Sequence, residues 1–263
     1  MQKLRIVIFT SNGIRHKFFA NTLSKEVDDC LTIVESKQVN PFDINGELET
    51  IELQKHFDER TKIEKKYFIN NDFFVSKTLP ILNKEANSSY VTKIIHEFNP
   101  DAIFVFGSSI LKNDILNLVP PGNFFNMHLG LSPYYRGSGT NFWPFVNNEL
   151  EYVGATILHL DPGIDTGDIV AHVRPVFEKD DTVHTIGCKV IKNGINILIK
   201  IINQLKNKKE IQRVPQWNIS DEKVYRIKDF DISALNSYKK NMNEQMIESF
   251  INSSKKQIKL IEF

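Results

Sequence analysis

Cysteine is nearly absent from the chain: Cys30 and Cys188 are the two among 263 residues, and they lie far apart. This argues against a disulfide framework, so we expect two reduced, buried thiols. Neither cysteine has both a neighbouring base and an electropositive stretch around it, so no catalytic thiolate is expected. The seven histidines show no close ligand spacing, so no metal site is predicted.

Long apolar runs and an excess of one charge are also missing. No run approaches the length of a membrane-spanning helix, and residues 1–10 lack the apolar length and cleavage site of a signal peptide. The 33 basic and 32 acidic residues give a formal net charge of +1. We therefore expect a cytoplasmic protein that binds neither nucleic acid nor a membrane surface.

The chain instead carries short apolar runs separated by polar turns and helical patterns. Its opening, an apolar run over Leu4–Thr10 followed by Ser11-Asn12-Gly13 and a helical pattern, is typical of a doubly wound α/β fold with a mostly parallel, Rossmann-like sheet. Further strands are predicted at Leu31–Val34, Asp101–Phe106, Asn123–Met127, Val153–Leu160 and Ile169–Val176, and helices at Tyr90–Phe98, from an N-cap at Asp181 to about Gln204, and near Asn241–Ile251.

Two regions of the chain differ from this pattern. Residues 40–90 are polar, with scattered aromatic residues, and only helices and loops are expected there. After residue 205 the composition shifts, and the remaining residues are too few for an independent domain of usual size. We therefore divide the chain into a main domain, 1–205, and a C-terminal appendage, 206–263.

Three polar side chains follow apolar runs in the second half of the chain. Asn126 and His128 end one predicted strand, and Asp165 lies in the loop Asp161–Asp168 between two others. An amide can donate to a developing oxyanion, an imidazole can move or hold a proton, and a carboxylate can fix the imidazole's tautomer. Since ligand sites of open α/β sheets lie at the carboxyl ends of strands, this combination indicates acyl-group chemistry at that edge.

The same residues carry a family resemblance over roughly residues 100–205. The run Asn126-x-His128, then Ser132-Pro133-x-x-Arg136-Gly137, then Asp165-Thr166-Gly167-Asp168 is similar to the signature of the folate-dependent formyltransferases. The chain departs from that pattern at Gly130, where the family usually has serine, and at Ser132, where it usually has leucine. Both positions shape the loop, so the departures bear on substrate detail rather than on reaction class.

The resemblance implies the formyltransferase fold, a formyl donor and three catalytic roles. The donor would be 10-formyltetrahydrofolate, and the acceptor a primary amine that attacks the formyl carbon. Asn126 and a protonated His128 would donate to the oxyanion, Asp165 would hold His128 protonated, and the same carboxylate would take the amine's proton through a water. No metal takes part.

The resemblance also implies where the donor binds. The folate ring would lie between the loop Asp161–Asp165 and the strand-end loop formed by Phe106, Gly107, Ser108, Ser109, Ile110 and Leu111. This second loop is also a plain strand-to-helix connection, and the two interpretations are compatible. Asp161 either contacts the donor or caps its own loop.

A second polar cluster indicates an acceptor region. Asn12, Arg15 and His16 surround the start of the first helix, where a phosphate group can be bound. A solvated helix start remains the alternative, and neither a dinucleotide nor a P-loop motif is present. Tyr135 and Arg136 are expected to shape the acceptor side.

Among the family's members, the nucleotide-sugar N-formyltransferases of surface-glycan synthesis resemble this chain best. Their short C-terminal appendage often supports dimerisation, which implies a homodimer through residues 206–263. The alternatives are a purine-pathway (glycinamide ribonucleotide) or methionyl-tRNA formyltransferase and, in another class, a non-catalytic folate- or nucleotide-binding protein. The sugar, the nucleotide and the position of the amine stay open.

Overall fold

The structure, a computed structural model, describes residues 3–36, 48–161, 165–254 and 256–263. Along the chain its elements are β1 (Arg5–Ser11), α1 (Ile14–Ser24), β2 (Asp29–Glu35), α2 (Leu48–Tyr67), β3 (Lys77–Ile81), α3 (Ser89–Phe98), β4 (Ala102–Phe106), α4 (Asn113–Leu116), β5 (Phe124–His128), β6 (Tyr135–Gly137), α5 (Trp143–Val146), β7 (Ala155–His159), β8 (Ile169–Val173), α6 (Val183–Lys206), β9 (Lys223–Tyr225), α7 (Ile232–Asn243) and α8 (Met246–Asn252). Single turns of 3₁₀ helix lie at Glu85–Asn87, Leu150–Tyr152 and Ile227–Asp229.

Seven strands form one sheet in the order β3-β2-β1-β4-β5-β7-β8. The neighbouring strands from β3 to β5 pair in parallel. Strand β7 pairs antiparallel with both of its neighbours, β5 and β8. In β1, Ile6 and Ile8 face a core that includes α1 and α6, while Val7 and Phe9 face a core that includes α3. Burial on both faces explains the continuous apolar runs of the central strands. The predicted doubly wound, mostly parallel α/β fold is confirmed.

Strand β3 was not predicted, since only helices and loops were expected over residues 40–90. Helix α2 fits that expectation, and residues 40–47 lie outside the described residues. β3 is an edge strand that contains Pro80, and Ile81 is its one buried residue. An edge strand needs no alternating apolar pattern and tolerates proline, so its sequence gives little signal.

Two helix ends differ from their predicted positions. Thr182, not Asp181, is the N-cap of α6, because the Thr182 hydroxyl accepts from the Thr185 backbone N–H at 3.3 Å. The Asp181 carboxylate accepts from the Thr185 hydroxyl instead, at 2.7 Å. The single helix predicted near Asn241–Ile251 is two helices, because Gln245 adopts a left-handed backbone (φ 58°) between α7 and α8.

The two cysteines are buried and free, as predicted. Burial raises the pKa of Cys30 to about 11 and that of Cys188 to about 12. Within the described ranges, no helix has the length and apolar character needed to cross a membrane.

The residues after α6 pack against the sheet and its loops. Val214 pairs with Ile169 at the edge of β8, and the Ile261 carbonyl accepts from the His172 backbone N–H at 2.7 Å. Strand β9 pairs with β6 in a separate two-stranded sheet. These contacts bring the C-terminal segment close to the loops at the carboxyl ends of the strands. The homodimer stays a prediction.

Candidate active site

The carboxyl ends of the central strands open into one cavity of about 1150 Å³. β4 contributes the loop 106–111, β5 contributes Asn126 and His128, and the connection between β7 and β8 contributes Asp165. The strand order reverses between β1 and β4, and crevices at such switch points are the usual ligand sites of open α/β sheets.

The three predicted catalytic residues meet at the wall of this cavity. The Asp165 carboxylate accepts from the Asn126 side-chain amide at 3.3 Å and from the Gly137 backbone N–H at 3.3 Å. Its Oδ2 atom also lies 3.2 Å from His128 Nδ1. One carboxylate, 13% exposed, is thus held by an amide, an imidazole and a main-chain donor.

His128 is 7% exposed and has an oxygen acceptor at each ring nitrogen. Nδ1 faces Asp165, and Nε2 lies 3.1 Å from the Tyr135 carbonyl. The Thr140 hydroxyl donates to the Leu129 carbonyl, so it presents a lone pair to Nε2 at 3.4 Å. Only the doubly protonated ring donates from both nitrogens. In this state Nε2 serves the Tyr135 carbonyl, so donation to an oxyanion requires His128 to give up that bond.

The backbone at Asp165 has a left-handed conformation, with φ 53°. Aspartate tolerates this region better than most residues, but it still favours glycine. The Gln216 side-chain amide donates to the carbonyls of Asp165 (2.7 Å) and Gly167 (2.9 Å). Gln216 lies in the C-terminal segment, and no motif identified it from the sequence.

The predicted donor loop, 106–111, lines the cavity throughout. It is anchored by Glu35, a buried carboxylate at the end of β2, which accepts from the Ser109 backbone N–H at 2.7 Å and from the Ser109 hydroxyl. Gly107 has φ 77°, and a Cβ there would lie 2.4 Å from His16 Nε2, so the turn requires glycine. Glu35 was not among the predicted site residues, although a charged residue that ends an apolar strand is a usable signal.

Asp161 also lines the cavity, and its carboxylate accepts from the Thr166 hydroxyl at 2.8 and 3.0 Å. This contact lies within the loop, as the loop-capping alternative expects, and contact between Asp161 and the donor stays a prediction. Residues 162–164 of this loop lie outside the described residues.

The predicted acceptor residues near α1 divide between two adjoining cavities. Arg15 lines the large cavity and pairs with the buried Glu64, which also lies 3.7 Å from Arg60 Nε. Asn12 and His16 line a neighbouring cavity of about 390 Å³, which Arg15, Arg60 and Glu64 also line. Burial, with the charge of Arg15, lowers the pKa of Arg60 to about 10. Arg60 and Glu64 come from α2, a helix without a recognisable motif.

Tyr135 and Arg136 do not reach the large cavity with their side chains. Tyr135 is fully buried, and its hydroxyl contacts Glu149. Burial and the neighbouring Glu149 raise the pKa of Tyr135. The Arg136 guanidinium pairs with Glu222 at 2.7 Å. The expectation that these side chains shape the acceptor side is corrected: Tyr135 packs in the core, and its backbone carbonyl holds His128.

One end of the cavity is formed by α2, α5, α6 and the C-terminal segment. His56 and His184 lie there with ring centroids 4.4 Å apart, beside Phe142 and Phe230. Burial, with the charge of Arg60, lowers the pKa of His56 to about 4, and burial, with the charge of His56, lowers that of His184 to about 2. Both rings are therefore neutral at pH 7. We call this the histidine end of the cavity.

The histidine end should make stability pH-dependent. In the unfolded chain both groups take up protons near their ordinary pKa of 6.5, whereas the folded state resists this. The unfolded state therefore binds more protons, and the free energy of unfolding should fall as pH drops below about 6.5, by up to about 1.4 kcal/mol per pH unit and histidine. Urea unfolding between pH 7 and pH 4 measures this fall.

Histidine variants test whether His56 and His184 cause this fall in the free energy of unfolding. Replacing His56 and His184 with asparagine should flatten the fall, whereas replacing His96, exposed in α3, should leave it unchanged. An equal slope in the double variant and the unaltered protein would contradict the assignment.

Among the described residues, no group of three or more histidine, cysteine, aspartate or glutamate side chains is arranged to hold a metal ion.

The chain is similar to known proteins in sequence and in fold. Residues 49–202, more than half of the chain, match the formyl transferase family. A methionyl-tRNA formyltransferase from Desulforamulus reducens is 38% identical over 112 residues, which is 42% of this chain and 35% of that protein. The chain spans between 35% and 55% of the length of the curated relatives it matches.

Solved structures share the fold at low identity. A 4-N formyltransferase from Francisella tularensis is 19% identical with a TM-score of 0.56, covering 86% of this chain and 78% of that one. An N-formyltransferase from Helicobacter canadensis, solved with folinic acid and dTDP-3-aminofucose, is 19% identical with a TM-score of 0.55, covering 86% of this chain and 72% of that one.

Proposed function

The chain belongs to the formyl transferase family, and from that membership we propose that it transfers a formyl group from 10-formyltetrahydrofolate to the primary amine of a small acceptor. We propose a nucleotide-linked amino sugar as that acceptor. The observation that carries the proposal is the meeting of Asn126, His128 and Asp165 at the wall of one cavity. Its volume, about 1150 Å³, exceeds the roughly 300–1,000 Å³ typical of one ligand and suits two.

The residues around the loop 106–111 fit a reduced folate. A ring of that kind needs apolar walls and a few main-chain donors and acceptors. Val105, Leu111 and Leu158 supply apolar surface along the cavity, and Ile110 leaves 60% of its surface exposed there. An apolar side chain exposed in a crevice is well suited to pack against a planar ring. The donor, when bound, supplies the formyl group.

The side chains of Asn126, His128 and Asp165 have different roles in the transfer. As the amine nitrogen bonds to the formyl carbon, the formyl oxygen becomes negative, and the Asn126 side-chain N–H is the donor for it, worth about 3–4 kcal/mol. The bond from the formyl carbon to the folate nitrogen then breaks. Asp165 takes the proton that the amine loses, and this proton passes on to the folate nitrogen, so that tetrahydrofolate leaves and the carboxylate is restored. His128 keeps the Asp165 carboxylate in place and, once released from the Tyr135 carbonyl, becomes the second oxyanion donor.

An anionic acceptor is supported by the charges next to this site. Arg15 and Arg60 share one carboxylate, Glu64, so the cluster keeps one net positive charge at the boundary of the two cavities. A guanidinium suits phosphate oxygens because its N–H groups form a fork. The dTDP-linked amino sugar bound by the Helicobacter canadensis protein supports an acceptor of this class.

Replacing Arg15 with alanine should raise the Michaelis constant for the acceptor without changing the affinity for 5-formyltetrahydrofolate, because Arg15 is assigned to the phosphate end. Replacing Arg5 with alanine is the matched control, since Arg5 lies at the opposite edge of the sheet and pairs with Asp29. Steady-state kinetics and calorimetry measure the two constants. An unchanged Michaelis constant would remove Arg15 from the acceptor site.

A methionyl-tRNA acceptor is the second candidate, because the curated relatives are methionyl-tRNA formyltransferases. The formal net charge of +1 favours a small acceptor over tRNA. Incubation with 10-formyltetrahydrofolate and a panel of nucleotide-linked amino sugars, glycinamide ribonucleotide and methionyl-tRNA, read by mass spectrometry, decides between them. Formylation of an amino sugar supports the proposal, and formylation of another panel member replaces it. Folate binding without transfer to any of them would favour a non-catalytic binding protein.

A further inference from the structure

Gln216 connects the C-terminal segment to the loop that carries Asp165. It lies in the connection between α6 and β9, outside every strand-end loop of the site. Its side-chain Nε2 donates to the Asp165 carbonyl at 2.7 Å and to the Gly167 carbonyl at 2.9 Å. One amide group therefore spans the turn from Asp165 to Gly167.

This turn has an unfavourable backbone at Asp165. Asp165 has φ 53°, a left-handed conformation that favours glycine over a residue with a Cβ. The conformation must persist for the carboxylate to reach Asn126, His128 and Gly137 together. Two hydrogen bonds to the carbonyls of the turn oppose its relaxation.

The orientation of the Gln216 amide is itself fixed. Its Oε1 atom accepts from Arg136 Nη2 at 3.2 Å, which leaves the NH₂ group facing the turn. Arg136 is held in turn by Glu222 at 2.7 Å, just before β9. The C-terminal segment thus supplies both the amide and the carboxylate that ends this chain of contacts.

We propose that Gln216 is a positioning residue that holds Asp165 in its working conformation. The inference rests on the proposed function in one respect: Gln216 is expected to affect turnover through Asp165. It gives the motif residue Arg136 a role in this chain: Arg136 orients Gln216 and does not contact the acceptor. It also makes the C-terminal segment part of the site.

The test replaces Gln216 with methionine, which keeps the length of the side chain and removes both donors. Gln212→Met is the matched control, because the Gln212 amide also donates to two main-chain carbonyls, those of Val170 and Glu262, away from the site. A second variant, Gln216→Asn, keeps the amide on a shorter side chain. Circular dichroism and thermal unfolding verify the fold of each variant.

The first readout needs no acceptor. In the ¹⁵N-labelled protein, the Nδ1–H signal of His128 reports its bond to Asp165. We expect this signal to shift or broaden in both Gln216 variants and to stay unchanged in Gln212→Met. An unchanged signal in folded Gln216→Met would overturn the proposal.

The second readout is single-turnover formyl transfer to the best acceptor of the panel. Gln216→Met should lower the rate about tenfold to a hundredfold, the scale expected for a misplaced catalytic group, while the dissociation constant for 5-formyltetrahydrofolate stays unchanged. Added to Asp165→Asn, Gln216→Met should cause no further loss, because both changes act on the same group. A further loss in the double variant would overturn the proposal.

The rates of the variants distinguish a failure of the positioning role of Gln216 from a failure of the catalytic role of Asp165. Loss of transfer in Asp165→Asn with a normal rate in Gln216→Met overturns the positioning role alone. A normal rate in Asp165→Asn overturns the catalytic assignment and the effect of Gln216 on turnover with it.

Discussion

Replacing Asp165 with asparagine should lower the rate of formyl transfer about a hundredfold or more, with the fold intact. The substitution keeps the size of the side chain and its place on the loop, but it removes the negative charge that faces His128 Nδ1 at 3.2 Å. It also removes the group assigned to accept the amine's proton. Single-turnover kinetics, with circular dichroism as the folding control, measure the loss.

The companion variant His128→Asn should also lose about a hundredfold, the scale of one oxyanion donor. The double variant should be little worse than the poorer single variant, because residues that act as a unit give strongly non-additive losses. Losses that multiply would mean that the two side chains act independently. A near-normal rate in either folded single variant would place the chemistry elsewhere.

Asn126→Ala should lower the rate about a hundredfold to a thousandfold, because it deletes the side-chain N–H that faces the developing negative charge. Binding of 5-formyltetrahydrofolate should stay unchanged, since the amide acts in the transition state rather than in the bound ground state. Stopped single-turnover assays and calorimetry separate these two quantities.

Asn123→Ala is the matched control for this variant. Asn123 immediately precedes the same strand, β5, but its amide donates to the Asp101 carbonyl at 2.9 Å, at the opposite edge of the sheet. The control should keep the normal rate. Equal losses in both variants would show that the effect of Asn126→Ala comes from the strand and not from the oxyanion donor.

Local sequence patterns predict the fold and the positions of Asn126 and His128 well. Apolar runs that end in polar residues mark parallel strands, and the carboxyl ends of such strands share one edge of a sheet. Asn126 and His128 lie on β5 beside the carboxyl end of β4 because of this topology. Asp165 lies between the antiparallel strands β7 and β8, and β7 ends beside the start of β5, so its contacts with Asn126 and His128 depend on the path of the loop and not on the parallel pattern. Whether the three act as proposed stays a prediction.

The supporting residues could not be found in this way, because each depends on a long-range contact. Glu35 holds Ser109 across 74 positions, and Gln216 holds Asp165 across 51. Tyr135, in contrast, was predicted to contact a ligand because it has a polar hydroxyl and lies in a motif. Its side chain packs in the core instead. A motif gives the chemistry at a position, while the packing around it decides which way the side chain points.

The most direct test of the account follows an isotopically labelled formyl carbon. The protein is mixed in excess with labelled 10-formyltetrahydrofolate and the best amine of the panel, and the fate of the label is read by mass spectrometry and nuclear magnetic resonance. We expect the label in an N-formyl amide of the acceptor, matched one for one by tetrahydrofolate, and label transfer about a hundredfold or more slower with Asp165→Asn. Label that stays on the folate with every amine tested, or that appears as free formate, would contradict the account.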